Sequence, residues 1–588
     1  MSKFLFLFTI GPVQSFIAEA RKTSDLYAGS KLLSDLTEYA IDEVKDKDQT
    51  IVFPDEEIPS KPNRLVAIVE TENPKAFGEQ VENKVRNEFK TIAETIFLEH
   101  LGNMSLKAVF DKQINDFLDI HWIMMHIDND NYSDVYLKTE KMLGATKGIR
   151  AFKQLNGKEG ELGRKCSLCG KNNIVSYRLN DNDRKKVRKD GLLSKLFVPE
   201  EHINFYTPER ESENLKIQKG EGLCAVCFTK RFYNKSSFPS TAEIAAMEWI
   251  KKIPDSDKKD YKHLFKNFDE QLYYEENLNK EFLTKYDHFK DKESLRDATT
   301  LLKKIYKKEN KGKPPKYYAL IAADGDNMGK WLSGEFLADK SKLKDFHRKV
   351  SKELGNYAKQ TIKMMSPPKD VPKGKVIYAG GDDVMLFANL NHLFEILSEL
   401  KYSFPKFENL GFHIENNHSS TISAGIVIAH YKTPLSEVLR WVRKMEKEAK
   451  EEGDRDAFAI AVLKHSGEIQ KTIWKWKYGE DNPLTVEHLT NLINKLNDEK
   501  EGFSNTFIKN LNIEFERLDE VRDDILKTEL KRLLNRSSMI KDKNKKEEKD
   551  KRIKKWQDIL FNLFINKQTK DNFLSFLNIA DFLAREVK

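Results

Sequence analysis

At 588 residues the chain has room for three to five domains, each with a core of its own. A hydrophobic content of 39% supports folded domains, 33% charged residues and a mean hydropathy of -0.64 imply a strongly hydrated surface, and no apolar run reaches bilayer-spanning length, which argues against a membrane protein and for the cytoplasm. The net charge of +8 permits contact with a polyanion without requiring it.

The first predicted element is a buried strand from Phe4 to Ile10, too short for a signal peptide and without a small-residue cleavage site. Helical stretches around Ser15 to Leu36 and Pro74 to Glu99, and strands at Arg64 to Glu70 and Trp122 to Ile127, complete residues 1–150. That β-α-β order resembles a ferredoxin-like palm, but the first strand runs into Gly11-Pro12-Val13-Gln14 and carries no acidic pair. It is read as a non-catalytic palm.

Residues 151–240 contain all four cysteines, in two C-x-x-C knuckles: Cys166 with Cys169, and Cys224 with Cys227. Paired knuckles can present four thiolates tetrahedrally, which suits a structural Zn²⁺. Redox disulfides are the competing reading, which the reducing cytosol disfavours. A Lys/Asp/Tyr-rich helical linker, 241–315, ends in the turn Lys311-Gly312-Lys313-Pro314-Pro315.

Residues 316–475 hold the two most informative segments. A strand predicted at Tyr317 to Ala323 runs straight into Asp324-Gly325-Asp326-Asn327-Met328-Gly329-Lys330. Further on, Val376 to Ala379 and Val384 to Phe387 flank Gly380-Gly381-Asp382-Asp383, the pattern of a hairpin whose tip carries two adjacent acids. Glycines let a phosphate approach the backbone with no Cβ in the way, and neighbouring like charges call for a cation. An ordinary surface turn is the plainer alternative for either segment. If the strands are neighbours, Asp324 converges with Asp382 and Asp383 on one point, an arrangement suited to two Mg²⁺ or Mn²⁺ ions in nucleotidyl transfer. A third strand is predicted at Thr421 to Ala429, and the charged, glycine-poor segment 476–588 reads as a helical packing or interaction module. Its lysine run, Lys541 to Lys555, reads as solvated helix face or loop. The expected fold class is α+β, with two ferredoxin-like palm (nucleotidyl cyclase) domains, a zinc-binding module and helical domains.

Several motifs carry a family resemblance. Phe8-Thr9-Ile10-Gly11-Pro12-Val13-Gln14-Ser15-Phe16-Ile17, with Ala20-Arg21 and Asp25 to Ser30, resembles the first palm of the large subunit of type III-B (Cmr-type) CRISPR effector complexes. Ala323 to Lys330, the Gly-Gly-Asp-Asp run, and Ser423-Ala424-Gly425-Ile426 followed by His430-Tyr431-Lys432 resemble its second palm, and the cysteines fall where that family carries zinc.

The resemblance implies an RNA-activated nucleotidyltransferase of antiviral defence that joins ATP into cyclic oligoadenylates. It would work inside a multi-subunit complex with guide RNA, target RNA and other Cmr-type subunits. Asp324 and Asp383 would hold the metal that activates a 3′-hydroxyl, Asp382 and Asp326 would complete or support the shell, and Gly325, Gly380 and Gly381 would lie against the nucleotide. Lys432 and Lys464 are candidate phosphate partners. Transfer of AMP to S-adenosylmethionine is an alternative within the same class. A non-catalytic scaffold holding RNA and other subunits is an alternative of another class, and a free-standing cyclase would differ in working without RNA. Many family members begin with an HD nuclease domain, but no His-Asp dipeptide occurs in this sequence, so DNA cleavage is not expected.

Overall fold

The computed structural model describes residues 2–45, 49–127, 131–149, 163–179, 204–205, 216–233, 237–308, 312–367, 372–479, 482–504, 506–517, 522–540, 545–566 and 569–586. The architecture is mixed α and β, as the sequence predicts, with two main sheets, helical regions and a four-cysteine cluster. Most of the stretch between the cysteine pairs lies outside the described residues, as do 541–544 at the start of the lysine run. The rest of that run opens the helix Lys546–Ile565 with a largely exposed first half.

The first sheet is built from β1 (Ser2–Gly11), β2 (Thr50–Phe53), β3 (Arg64–Thr71) and β4 (Asp119–His126) in the order β2-β3-β1-β4. Its helices are α1 (Thr23–Lys45), α2 (Pro74–His100) and α3 (Tyr132–Gly148). The unbroken apolar run in β1 is explained by burial on both faces, because successive side chains point to opposite sides of a strand. Phe6, Phe8 and Ile10 pack with α1 and α2. Leu5 and Leu7 pack instead with Phe346, Val350 and Leu354 of the second unit. Cys166, Leu223, Cys224 and the helix α4 (Ala225–Tyr233) share the core beneath α1 and α2, while Ile174 and Tyr177 form a small cluster of their own.

The second sheet has six strands: β5 (Tyr317–Gly325), β6 (Gly374–Ala379), β7 (Val384–Ala388), β8 (Ile422–His430), β9 (Ala457–Leu463) and β10 (Ile469–Lys475). They lie in the order β10-β9-β8-β5-β7-β6. In β5, Ala319, Ile321 and Ala323 face one layer, which includes α5 (Leu343–Met365), α6 (Leu393–Ser403) and the C-terminal helices. Tyr318, Leu320 and Ala322 face the other, formed largely by α7 (Leu435–Glu451). The helical stretch between the cysteines and this sheet packs around its own aromatic core, with Trp249, Tyr261, Tyr273 and Leu302.

One buried histidine sits between the two units. The Nδ1 of His347 on α5 lies 2.9 Å from the Tyr132 hydroxyl on α3, and its Nε2 lies 2.7 Å from the Leu332 carbonyl. A carbonyl only accepts, so Nε2 carries the proton and Nδ1 accepts from the tyrosine. Burial, with Arg64 nearby, pushes the His347 pKa down from 6.5 to about 4. Between those values the unfolded chain binds a proton that the fold refuses, so the contribution of His347 to stability is complete above pH 6.5 and is lost as pH falls to 4. We expect chemical denaturation at pH 7 and pH 4.5 to show a loss of about 2 to 3 kcal/mol assignable to this residue. A His347→Gln variant should show a correspondingly flatter pH dependence.

Candidate metal and nucleotide site

The three predicted acids come together because β7 pairs antiparallel with β5 and aligns Val384 with Ala323. The hairpin turn carrying Asp382 and Asp383 therefore sits beside Asp324 at the end of β5, and the Gly325 N–H donates to the Asp382 carbonyl at 3.2 Å. A Cβ on Gly325 would lie 2.9 Å from Met328 and 3.1 Å from the Cβ of Asp382, so only glycine lets the loop and the hairpin tip close this tightly. Gly381 has φ +111°, a region L side chains rarely adopt, and packs under Leu354 and Ile58. Gly380 N–H closes the turn by donating to the Asp383 carbonyl at 3.0 Å.

Crowded carboxylates in a half-buried corner hold on to their protons. Burial, reinforced by the Asp324 charge, raises Asp382 to about 6. Burial also raises Asp383 to about 7, against the pull of Arg443. Asp324 is raised as well, by burial, with Lys450 opposing. Such a cluster suits divalent cations, whose charge would offset both the desolvation and the repulsion.

Asp326, expected to complete or support the shell, is held by hydrogen bonds of its own. Its carboxylate accepts from the Thr421 hydroxyl at 2.8 Å, the Ser423 hydroxyl at 2.8 and 3.0 Å, and the Asp456 backbone N–H at 2.9 Å. With both oxygens engaged and 2% of its surface exposed, it ties the loop after β5 to β8 and to the start of β9. The lysine assignments are corrected. Because β8 runs antiparallel to β5, His430 pairs with Tyr317 while Ser423 pairs with Asp324. Because β9 runs parallel to β8, Leu463 ends beside Ala429. Lys432 and Lys464 thus follow the C-terminal ends of β8 and β9, at the end of the strands away from the acids.

The basic groups that do reach the acids come from α7. The Tyr378 hydroxyl donates to Asp383 at 3.0 and 3.1 Å and accepts from the Arg443 guanidinium at 2.7 Å. Arg443 also pairs with Glu446 at 2.8 Å, and Lys450 pairs with Asp324. Residues 443, 446 and 450 share one helix face at a spacing of about one turn each. That periodic charged face is visible in the sequence, but its destination is not. Gly425 decides it: a Cβ there would lie 2.2 Å from the Glu446 nitrogen and 2.5 Å from the Val442 carbonyl, so glycine lets α7 lie directly on β8.

The four cysteines form the second predicted centre. One ligand atom from each lies within 4.8 Å of all the others. The 3.7 Å between Cys169 Sγ and Cys224 Sγ is far beyond the roughly 2 Å of a disulfide. Backbone N–H groups of Leu168 and Cys227 point at the sulfurs of Cys166 and Cys224, at 3.4 and 3.5 Å. The cluster could therefore hold a metal ion. Three of its cysteines are buried and Cys169 is partly exposed, which suits a stabilising role.

Residues 317–459 match the family model for the second palm domain of Cas10/Cmr2, and residues 5–57 match that for the N-terminal part of CRISPR-associated protein Cmr2. The chain is 26% identical to the CRISPR system Cmr subunit Cmr2 of Pyrococcus furiosus, over 94% of this chain and 70% of that protein. Its fold is similar to a chain of the type III-B Cmr-beta complex in the apo state, with a TM-score of 0.62 and 14% identity, covering 92% of this chain and 78% of that one. The Cmr-beta complex bound to cognate target RNA gives the same score and identity, with 92% and 79% covered.

Proposed function

From its membership of the Cmr2-type large subunits of type III-B systems, we propose that the chain is an RNA-activated nucleotidyltransferase that joins ATP into cyclic oligoadenylates. The observation that carries this reading is the meeting of Asp324 with Asp382 and Asp383, with two of these carboxyls raised to about 6 and about 7. The strand order β2-β3-β1-β4 in the first sheet and β8-β5-β7-β6 in the second supports a ferredoxin-like core for both palms.

Two Mg²⁺ or Mn²⁺ ions held by Asp324, Asp382 and Asp383 would supply activation of the attacking 3′-hydroxyl and charge neutralisation at the triphosphate. The chain itself orients these ligands. Tyr378, held by Arg443, fixes the Asp383 carboxylate, and Asp326 anchors the loop that presents Asp324. Gly380, partly exposed, leaves the hairpin backbone open to a nucleotide, while the buried Gly381 supplies the turn's positive φ. At the cysteine cluster we assign a structural Zn²⁺. The partners of this reading are guide RNA, target RNA and the other Cmr-type subunits of a cytoplasmic complex. Among the described residues no helix is long and apolar enough to cross a membrane.

The test is to assemble the complex with guide RNA, add ATP with and without target RNA, and identify the products by mass spectrometry. Cyclic oligoadenylates and pyrophosphate should form only with target present. An adduct that needs S-adenosylmethionine would redirect the assignment of the acceptor. Equal turnover without RNA would favour a free-standing cyclase, and equal turnover after joint Asp382→Ala and Asp383→Ala substitution would overturn the catalytic reading.

A further inference from the structure

We infer that the outward face of α5 is a docking track for the phosphate backbone of a single-stranded RNA. The choice of ligand rests on the RNA-activated reading above, to which the inference adds the surface that holds the strand.

The turn Lys340–Lys342 and α5 together carry eight cations, Arg348 and seven lysines, against two acids, Asp345 and Glu353. Their net charge of +6 compares with +8 for the whole chain, so most of the excess charge sits in this one segment. Positions 345, 349, 352, 356, 359 and 363 recur at alternating four- and three-residue steps, which makes one stripe along a helix. Lysine fills four of the six, and Arg348 flanks them on the same face. Arg348, Lys349, Lys352 and Lys363 are exposed, and Lys359 partly so. From Arg348 to Lys363 the stripe runs about 22 Å, at a rise of about 1.5 Å per residue.

A face built only for solubility intersperses both signs. α7 does so: its Arg440, Lys444 and Lys447 pair with Glu437, Glu448 and Glu451 of the same helix. On α5, Lys359 reaches Glu57 at 2.5 Å, a side chain 80% exposed, and Lys349 donates to the Leu410 carbonyl at 2.8 Å while lying over the Phe412 ring. Arg348, Lys352 and Lys363 pair with no acid among the described residues. Like charges four residues apart, as in Arg348 with Lys352 and Lys359 with Lys363, cost the helix stability. A polyanion relieves that repulsion, and the counterions it releases drive binding. A single row of cations on an arc of roughly 100° matches one row of phosphates, whereas a duplex presents two rows across a groove.

The inward face of α5 packs on Leu5 and Leu7 of the first sheet, and Leu354 lies against Gly381 at the hairpin tip. A strand on the outward face therefore lies one helix diameter, about 10 Å, from the turn that carries Asp382 and Asp383.

The experiment follows the fluorescence anisotropy of a labelled single-stranded RNA of mixed sequence as the full chain is added, without ATP, over a range of KCl concentrations. Combined Arg348→Gln, Lys352→Gln and Lys363→Gln should weaken binding about thirtyfold at low salt. The slope of log affinity against log salt should fall by about 2, since each lost single-strand phosphate contact removes about 0.7. The same three-fold neutralisation on α7, Arg440→Gln with Lys444→Gln and Lys447→Gln, should stay within about threefold of wild type, as should Lys352→Arg with Lys363→Arg. Thermal unfolding of the α5 variant should not fall, because its substitutions relieve repulsion. An unchanged salt slope in the α5 variant would overturn the inference, and an equal loss in the α7 variant would reduce it to diffuse charge. Tighter binding of DNA of the same sequence would overturn the choice of RNA. Unchanged RNA binding by an α5 variant that no longer joins the multi-subunit complex would assign the stripe to a protein partner instead. The titration contains no ATP, so its failure is told apart from a failure of the nucleotidyl-transfer reading.

Discussion

Replacing Asp383 with asparagine is expected to lower ATP turnover by roughly 10³-fold while making the free protein more stable at pH 8. Both effects come from the same burial. The fold raises the Asp383 carboxyl to about 7 from an ordinary value of 3.8. Its contribution to stability is present at low pH and is lost as pH rises through that interval, because the fold disfavours the charged form. At pH 8 the native site carries a carboxylate whose desolvation Arg443 only partly offsets, and asparagine removes that charge while still accepting from the Tyr378 hydroxyl. A gain of about 1 to 3 kcal/mol in denaturant unfolding at pH 8 is expected, shrinking toward zero below pH 4. Saturating Mn²⁺ should reverse the order by stabilising the wild type more than the variant. A variant that is less stable at pH 8 and retains its turnover would mark Asp383 as a structural residue.

The second large effect belongs to the cysteine cluster. Cys224→Ser is expected to abolish stoichiometric zinc binding and to cost about 4 kcal/mol, measured by metal analysis and thermal unfolding. The cost should not stay local. Cys224 is fully buried at the start of α4, and α4 shares its apolar core with β1, α1 and α2. Buried ionic contacts tie the same region to the first sheet: Arg231 on α4 pairs with Asp25 on α1 and with Glu221, at 2.5 and 3.0 Å. Loss of the metal should therefore loosen the first sheet while the second, with its own core around β5 and the C-terminal helices, melts later. A split melting curve is the expected result, and strong chelation of the wild type should reproduce it. An unchanged single transition in a chain free of metal would sink the structural-zinc assignment.

These two centres differ in how they could be read. The cysteine centre was legible because C-x-x-C spacing is local and all four cysteines are spent in two such pairs. The acidic centre was legible in its three main members because apolar strands and glycine turns are local signals that place Asp324, Asp382 and Asp383 at strand ends. The apolar runs of β1 and β5 likewise announced strands, and the structure buries both on both faces.

What only the tertiary structure decided is which distant groups meet those ends. Asp324 and Asp326 look interchangeable in sequence, yet the hydroxyls of Thr421 and Ser423 claim Asp326, because β8 returns beside β5 in one particular register. Lys432 and Lys464 were candidate phosphate partners in sequence, but strand direction carries them to the end of the strands away from the acids. Arg443, Glu446 and Lys450 had no motif to mark them, and they reach the acids because Gly425 lets α7 press onto β8, while Tyr378 reaches Asp383 from within the same hairpin. Backbone periodicity and turn chemistry are set by neighbours in sequence. Register, strand direction and the seating of a helix on a sheet are set by packing between residues far apart in the chain, and the sequence carries no local sign of that packing.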